Sequence, residues 1–214
     1  MFKRLAILAV PTAISMLTIS PLTAERKDKD SDDDGVTFKM VVSGGAKGCL
    51  PNASATVRIS PNGPNQNMDV SVQGLPANTP FTVFVLQLPK APFGVAWYQG
   101  DIETDKRGRG TSRFTGIFSD ETFAHAVGSG AAPVVHATGA FPDASLNPIF
   151  APVHMFHLGI WFDSSEDAGK AGCPSTVTPF NGDHTAGIQV LNTSNAPDDH
   201  GPLRFDAAEL SKKD

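Results

Sequence analysis

Beyond residue 35 the apolar residues of this chain recur mainly at every second position. Val57 and Ile59 do so within 55–60, and Met68, Val70 and Val72 within 67–73. That spacing places one face of a strand on a core and the other in water. Pro61-Asn62-Gly63-Pro64-Asn65 lies between the two segments and carries turn chemistry, so they read as a hairpin. Residues 36–43 alternate as a first strand. Residues 81–88, Phe-Thr-Val-Phe-Val-Leu-Gln-Leu, are almost continuously apolar and read as a central strand buried on both faces. Segments 97–104, 110–118, 153–162 and 187–193 bring the number to about eight. One helix start stands out, with Ser164 as N-cap and Asp167 at the third helical position. Gly169 and Gly172 keep that helix short. Residues 119–152 are irregular, and a loop of that length in a compact domain is usually functional or mobile. The pattern predicts an all-β fold, a Greek-key β-sandwich with one short helix and long loops.

The two ends of the chain depart from this pattern. Lys3 and Arg4 precede an apolar run from Leu5 to Ile19, and Leu22-Thr23-Ala24 offers a small residue for cleavage. Residues 1–24 therefore read as an export signal peptide. Residues 25–35 hold no apolar side chain and read as a disordered acidic linker. The sandwich domain is expected over 36–205, with a flexible tail over 206–214. No later segment reaches 18 consecutive apolar residues, so no membrane span is expected. A secreted, extracellular or periplasmic protein follows from this reading. Without the signal the chain carries 15 basic and 22 acidic residues, a net charge of −7. That balance argues against a nucleic-acid partner. Twenty Gly and 17 Pro argue against a helical bundle and for many short, punctuated segments.

Cys49 and Cys173 are the only cysteines. In an exported chain they read as a disulfide, with a pair of metal-binding thiolates as the other reading. All six histidines lie in the second half, at 125, 136, 154, 157, 184 and 200. His136, His154, His157 and His184, with Asp183 assisting, are the candidate ligands for Zn or Cu. On one continuous strand, however, His154 shares a face with Phe156, Leu158, Ile160 and Phe162. His157 shares the other face with Met155 and Trp161. The competing reading leaves these imidazoles as packing groups bonded to backbone, Asp163 or Asp183, with no cofactor. Asp101, Glu103 and Asp105 alternate on one strand face, and Trp97-Tyr98 is the one candidate aromatic platform for a sugar. Asp30-x-Asp32-x-Asp34-Gly35 opens like a calcium loop, but Val41 stands where the bidentate Glu is needed. A nucleophile elbow, a phosphate-binding loop and a dinucleotide fingerprint are all missing.

The run from Ala91 to Asp105 with Gly108-Arg109-Gly110, the run Ala151 to Phe162, and Thr178-Pro-Phe-Asn-Gly-Asp-His184 resemble a group of exported bacterial β-sandwich proteins with no assigned activity. That resemblance covers roughly residues 50 to 203 and implies a shared fold. Gly74-Leu75-Pro76 leading into Phe81-Thr-Val-Phe, with His154 and His157, is more distantly similar to superoxide-dismutase-like and chordin-domain sandwiches. In copper-zinc superoxide dismutases the paired strand histidines are two apart. Here they are three apart, so the copper site is not carried over. The expected function is a secreted, non-catalytic module that binds an extracellular or cell-envelope ligand. The alternative is a histidine-based metal-binding protein or metalloenzyme.

Overall fold

The alternating segments form the strands that their spacing requires. The computed structural model describes residues 35–124, 153–178 and 180–206. The chain divides into two units, Met1–Ser31 and Asp32–Asp214, and every described residue belongs to the second. His125, His136, the residues from 207 onward and residues 1–34, which include the segments expected to be an export signal and a linker, lie outside the described residues.

The strands are β1 (Val36–Val42), β2 (Ser54–Asn62), β3 (Asn65–Gln73), β4 (Pro80–Leu86), β5 (Ala96–Glu103), β6 (Gly110–Gly116), β7 (Phe123–Ala124), β8 (Val153–His154), β9 (His157–Phe162) and β10 (Gln189–Asn192). The helix α1 spans Ser165–Lys170. Eight strands form one sheet in the order β5-β4-β9-β10-β1-β2-β3-β6, and β7 pairs with β8 alone. Every pairing is antiparallel. β1 joins the two layers, pairing with β10 through its second half and with β2 through its first. The β2–β3 hairpin turns at Gly63, whose φ of 60° suits glycine. β5 and β6 meet at the far seam without a ladder. There the Ser112 hydroxyl donates to the Asp101 carbonyl at 2.7 Å, and Gly100 leaves room for the Phe114 ring. The result is an all-β sandwich closed nearly into a barrel.

Val57, Ile59, Met68 and Val70 fill the interior from one layer, and Phe81, Val83, Val85, Leu158, Ile160 and Phe162 from the other. The Phe81 and Phe162 ring centres lie 4.9 Å apart. The outer faces of the two layers differ. Over β2, β3 and β6 the outer face is polar, with Arg113 and Asp69 paired at 2.6 Å and Thr115 bonded to Asn67 at 2.8 Å. Over β4 and β9 it carries a second apolar cluster of Phe84, Leu86 and Trp161, covered by Phe93 and Phe180. Residues 87–95 fold back over this face through Gln87 N–H to Val95 O at 2.8 Å and Leu88 N–H to Phe93 O at 3.0 Å. β4 is therefore buried on both faces, as its continuous apolar run predicts.

Residues 153–162 do not form one strand. Val153–His154 pairs with Phe123–Ala124, whereas the chain from His157 pairs with β4 and β10. Between them Met155 turns fully into the core and its N–H donates to Thr122 O at 3.0 Å. Within β9 the expected faces hold, with Leu158, Ile160 and Phe162 inward and His157 and Trp161 outward. α1 begins as its sequence predicts, since Ser164 Oγ accepts from the Asp167 N–H at 3.0 Å. Cys49 and Cys173 form a disulfide with Cα atoms 5.2 Å apart. It ties the segment after the 3-10 turn Gly44–Ala46 to the end of α1. Among the described residues no helix is long and apolar enough to cross a membrane.

Candidate functional site

His157 is the most buried of the described histidines, with no solvent exposure. Its Nε2 lies 3.2 Å from the Asp198 carbonyl, which can only accept, so Nε2 carries the proton. Nδ1 then accepts from the Thr193 hydroxyl at 2.9 Å, and the same hydroxyl oxygen accepts from the Leu158 N–H at 3.1 Å. Both ring nitrogens are thus committed to the segment that follows β10. That segment seals one end of the sandwich. Leu203 is fully buried, its N–H bonds Phe156 O at 3.2 Å, and a side chain at Gly201 would collide with Phe156 O.

Burial holds the His157 imidazole below its ordinary pKa, outweighing the carbonyls of Asp198 and Pro197 and the Asp198 charge. The unfolded chain therefore binds a proton more readily than the folded one, and folding stability rises with pH in this range. Stability is expected to fall as pH drops below the unfolded value near 6.5. A His157→Gln variant is expected to unfold about 1–3 kcal/mol more easily at pH 7 and to depend less on pH between 7 and 5. Chemical denaturation at several pH values reads both effects, and parallel pH profiles for the two proteins would refute the assignment.

The other described candidates stand apart from His157. His154 is exposed, stacked on Phe156 with ring centres 5.0 Å apart, and edge-on to Phe123 at 6.1 Å. Asp183 and His184 are exposed on a turn closed by the His184 N–H to Asn181 O at 3.1 Å. Asn181 organises that turn. Its amide donates to Asp163 O at 2.7 Å, and its Oδ1 accepts from the Thr185 N–H at 2.8 Å. His200 Nδ1 accepts from Arg204 at 3.1 Å. Among the described residues no three His, Cys, Asp or Glu side chains are grouped as metal ligands would be.

The aromatic and acidic candidates on β5 also separate. Trp97 is partly buried against the core, while Tyr98 faces out and is 50% exposed. The Tyr98 hydroxyl donates to Asp101 Oδ2 at 2.6 Å. Its pKa is pushed up to about 12, by burial first and then by Asp101 and the charge of Asp163. Asp105 caps its own loop, accepting from the Arg107 and Arg109 N–H groups at 2.7 and 3.0 Å, and those bonds hold its carboxyl below the usual range.

A cleft of about 650 Å³ is lined by Gln87, Leu88, Asp120, His154, Phe156, Asp198, Asp199 and Arg204. Four separate stretches of chain meet there: the end of β4, the turn before β7, the β8–β9 break, and the segment after β10. Of the described candidate site residues read from the sequence, only His154 lies in this lining. The three aspartates and Arg204 carried no local motif. The one signal was Leu203 and Phe205 flanking Arg204 in an otherwise polar tail, which marks a segment that docks on a core.

The arrangement is suited to holding a ligand. A cleft of this size falls within the range that encloses small molecules. It combines a stacked ring pair, a guanidinium and carboxylates, and among the described residues no hydroxyl or thiol lines it. No family model matches this chain, and no curated protein matches it.

Proposed function

We propose that this chain is an exported, non-catalytic β-sandwich module that binds a small polar ligand in the cleft beside His154. The observation that carries the reading is the cleft itself, assembled from four chain segments on a disulfide-closed scaffold. The disulfide is of the kind that persists outside the cytoplasm, and the apolar run after Lys3 and Arg4 supplies a route of export. Binding rather than catalysis is favoured because the imidazole in the cleft stacks on a ring and, among the described residues, no hydroxyl or thiol nucleophile lines the cleft. The buried imidazole below it is spent on Thr193 and Asp198.

A mixed set of small acids, amines and sugars, screened by NMR against the oxidised protein, tests the reading. Shift changes are expected to gather on Asp120, His154, Phe156 and residues 198–204. Changes that are absent there, or that gather on the polar face of β2, β3 and β6, would refute the cleft as the binding site.

A further inference from the structure

The cleft beside His154 has an unbalanced charge and hydrogen-bonding inventory. Among the described residues Arg204 is its only permanent cation, and the guanidinium Nη1 is directed to the Asp199 carbonyl at 3.3 Å and to His200 Nδ1 at 3.1 Å. Gln87 is also committed, its Oε1 accepting from the Val95 N–H at 3.1 Å. The Asp120, Asp198 and Asp199 carboxylates have no ion pair among the described residues. The lining therefore holds three carboxylates and one guanidinium beside the His154 imidazole. Beside them lies an aromatic surface. His154 and Phe156 are nearly parallel, 23° apart, and Phe123 meets His154 edge-on and is 44% exposed. A ligand complementary to this cleft supplies hydrogen-bond donors, positive charge and a flat or apolar body. An aromatic face flanked by carboxylates is an environment that attracts organic cations.

Resting on the reading above, we infer that the ligand class of this cleft is an organic ammonium, with its charged head drawn to the side of the lining that carries Asp120, Asp198 and Asp199 and its apolar body against the His154–Phe156 pair. Inorganic cations fit less well, because no three of the described carboxylates and imidazoles are grouped as ligands to one ion. Anions are disfavoured by the net charge of the lining.

Benzylamine, benzyl alcohol and benzoate share one ring and differ in charge, and together they test this on the intact oxidised protein. Titrations are followed by NMR at the His154 ring and at the amides of residues 198–204. Benzylamine is expected to bind at least tenfold more tightly than benzyl alcohol, and benzoate more weakly than either. A D120N/D198N double variant is expected to lose that preference. Arg204→Met is expected to strengthen benzylamine binding by removing the competing cation. All these positions are exposed, so the variants are expected to keep the wild-type unfolding midpoint. Benzyl alcohol or benzoate binding at the cleft as tightly as benzylamine would overturn the ammonium assignment and leave the cleft as a binding site. A benzylamine preference that survives in D120N/D198N would overturn it equally. Shifts from none of the three probes would overturn the assignment, and the mixed screen above then decides the cleft separately.

Discussion

Removing the Cys49–Cys173 disulfide, as a C49S/C173S double variant, is expected to lower the unfolding free energy by on the order of 4–5 kcal/mol. The bridge closes a loop with a sequence separation of 124, and in the chain-entropy model a loop of that length restricts the unfolded chain by about this amount. The melting temperature is then expected to fall by roughly 10–20 °C, at 2–4 °C per kcal/mol for a domain of this size. The effect is expected mainly in the unfolded state. The two cysteines join the 3-10 turn region to the end of α1, and neither belongs to a strand. The sheet order and the His157 bonds should therefore survive in the variant that remains folded. Parallel denaturant titrations of wild type and variant measure this. A loss below about 1 kcal/mol would mean that the two segments stay together without the bridge.

Trp161→Ala is expected to cost about 3–5 kcal/mol, the range for deleting a large buried aromatic side chain. Trp161 is fully buried on the outer face of β9, with Phe84, Phe93 and Phe180 around it at ring-centre distances of 5.3, 5.1 and 5.0 Å. The cluster is held from three directions, by the sheet, by the 87–95 loop and by the segment carrying Phe180, so it cannot collapse without moving all three. Gly159 makes the seat for the indole, since a side chain there would run into the Trp161 ring and Leu86. Phe180 is only half-buried, and Phe180→Ala is expected to cost distinctly less. Equal costs for the two variants would show that the cluster is not centred on Trp161. Thermal and urea unfolding of both variants decide the point.

The strands were legible in the sequence wherever burial follows spacing. Val57, Ile59, Met68, Val70 and Val72 alternate because one face of β2 and β3 is solvated and the other is core. Phe81 to Leu86 is continuously apolar because both its faces are covered. The start of α1 at Ser164 was legible for a local reason too, since a cap bond reaches only three residues along the chain. The break at Met155 was not legible. Nothing within 153–162 marks a change of partner, and the break is set by β7 on one side and by β4 and β10 on the other.

By itself, then, the sequence determined the all-β class, most strand positions, the capped helix and the one possible disulfide, all of which depend on local periodicity or on having only two cysteines. Only the tertiary structure decided the roles of the histidines and the place of the cleft. His154 and His157 are three residues apart, yet one is an exposed stacked ring and the other is sealed beneath residues 193–203. Asp120, Asp198 and Arg204 share no motif and are brought together by long-range pairing alone. Spacing along a chain records which face of an element is buried. Which distant segments converge on that face is fixed by the packing of the whole domain.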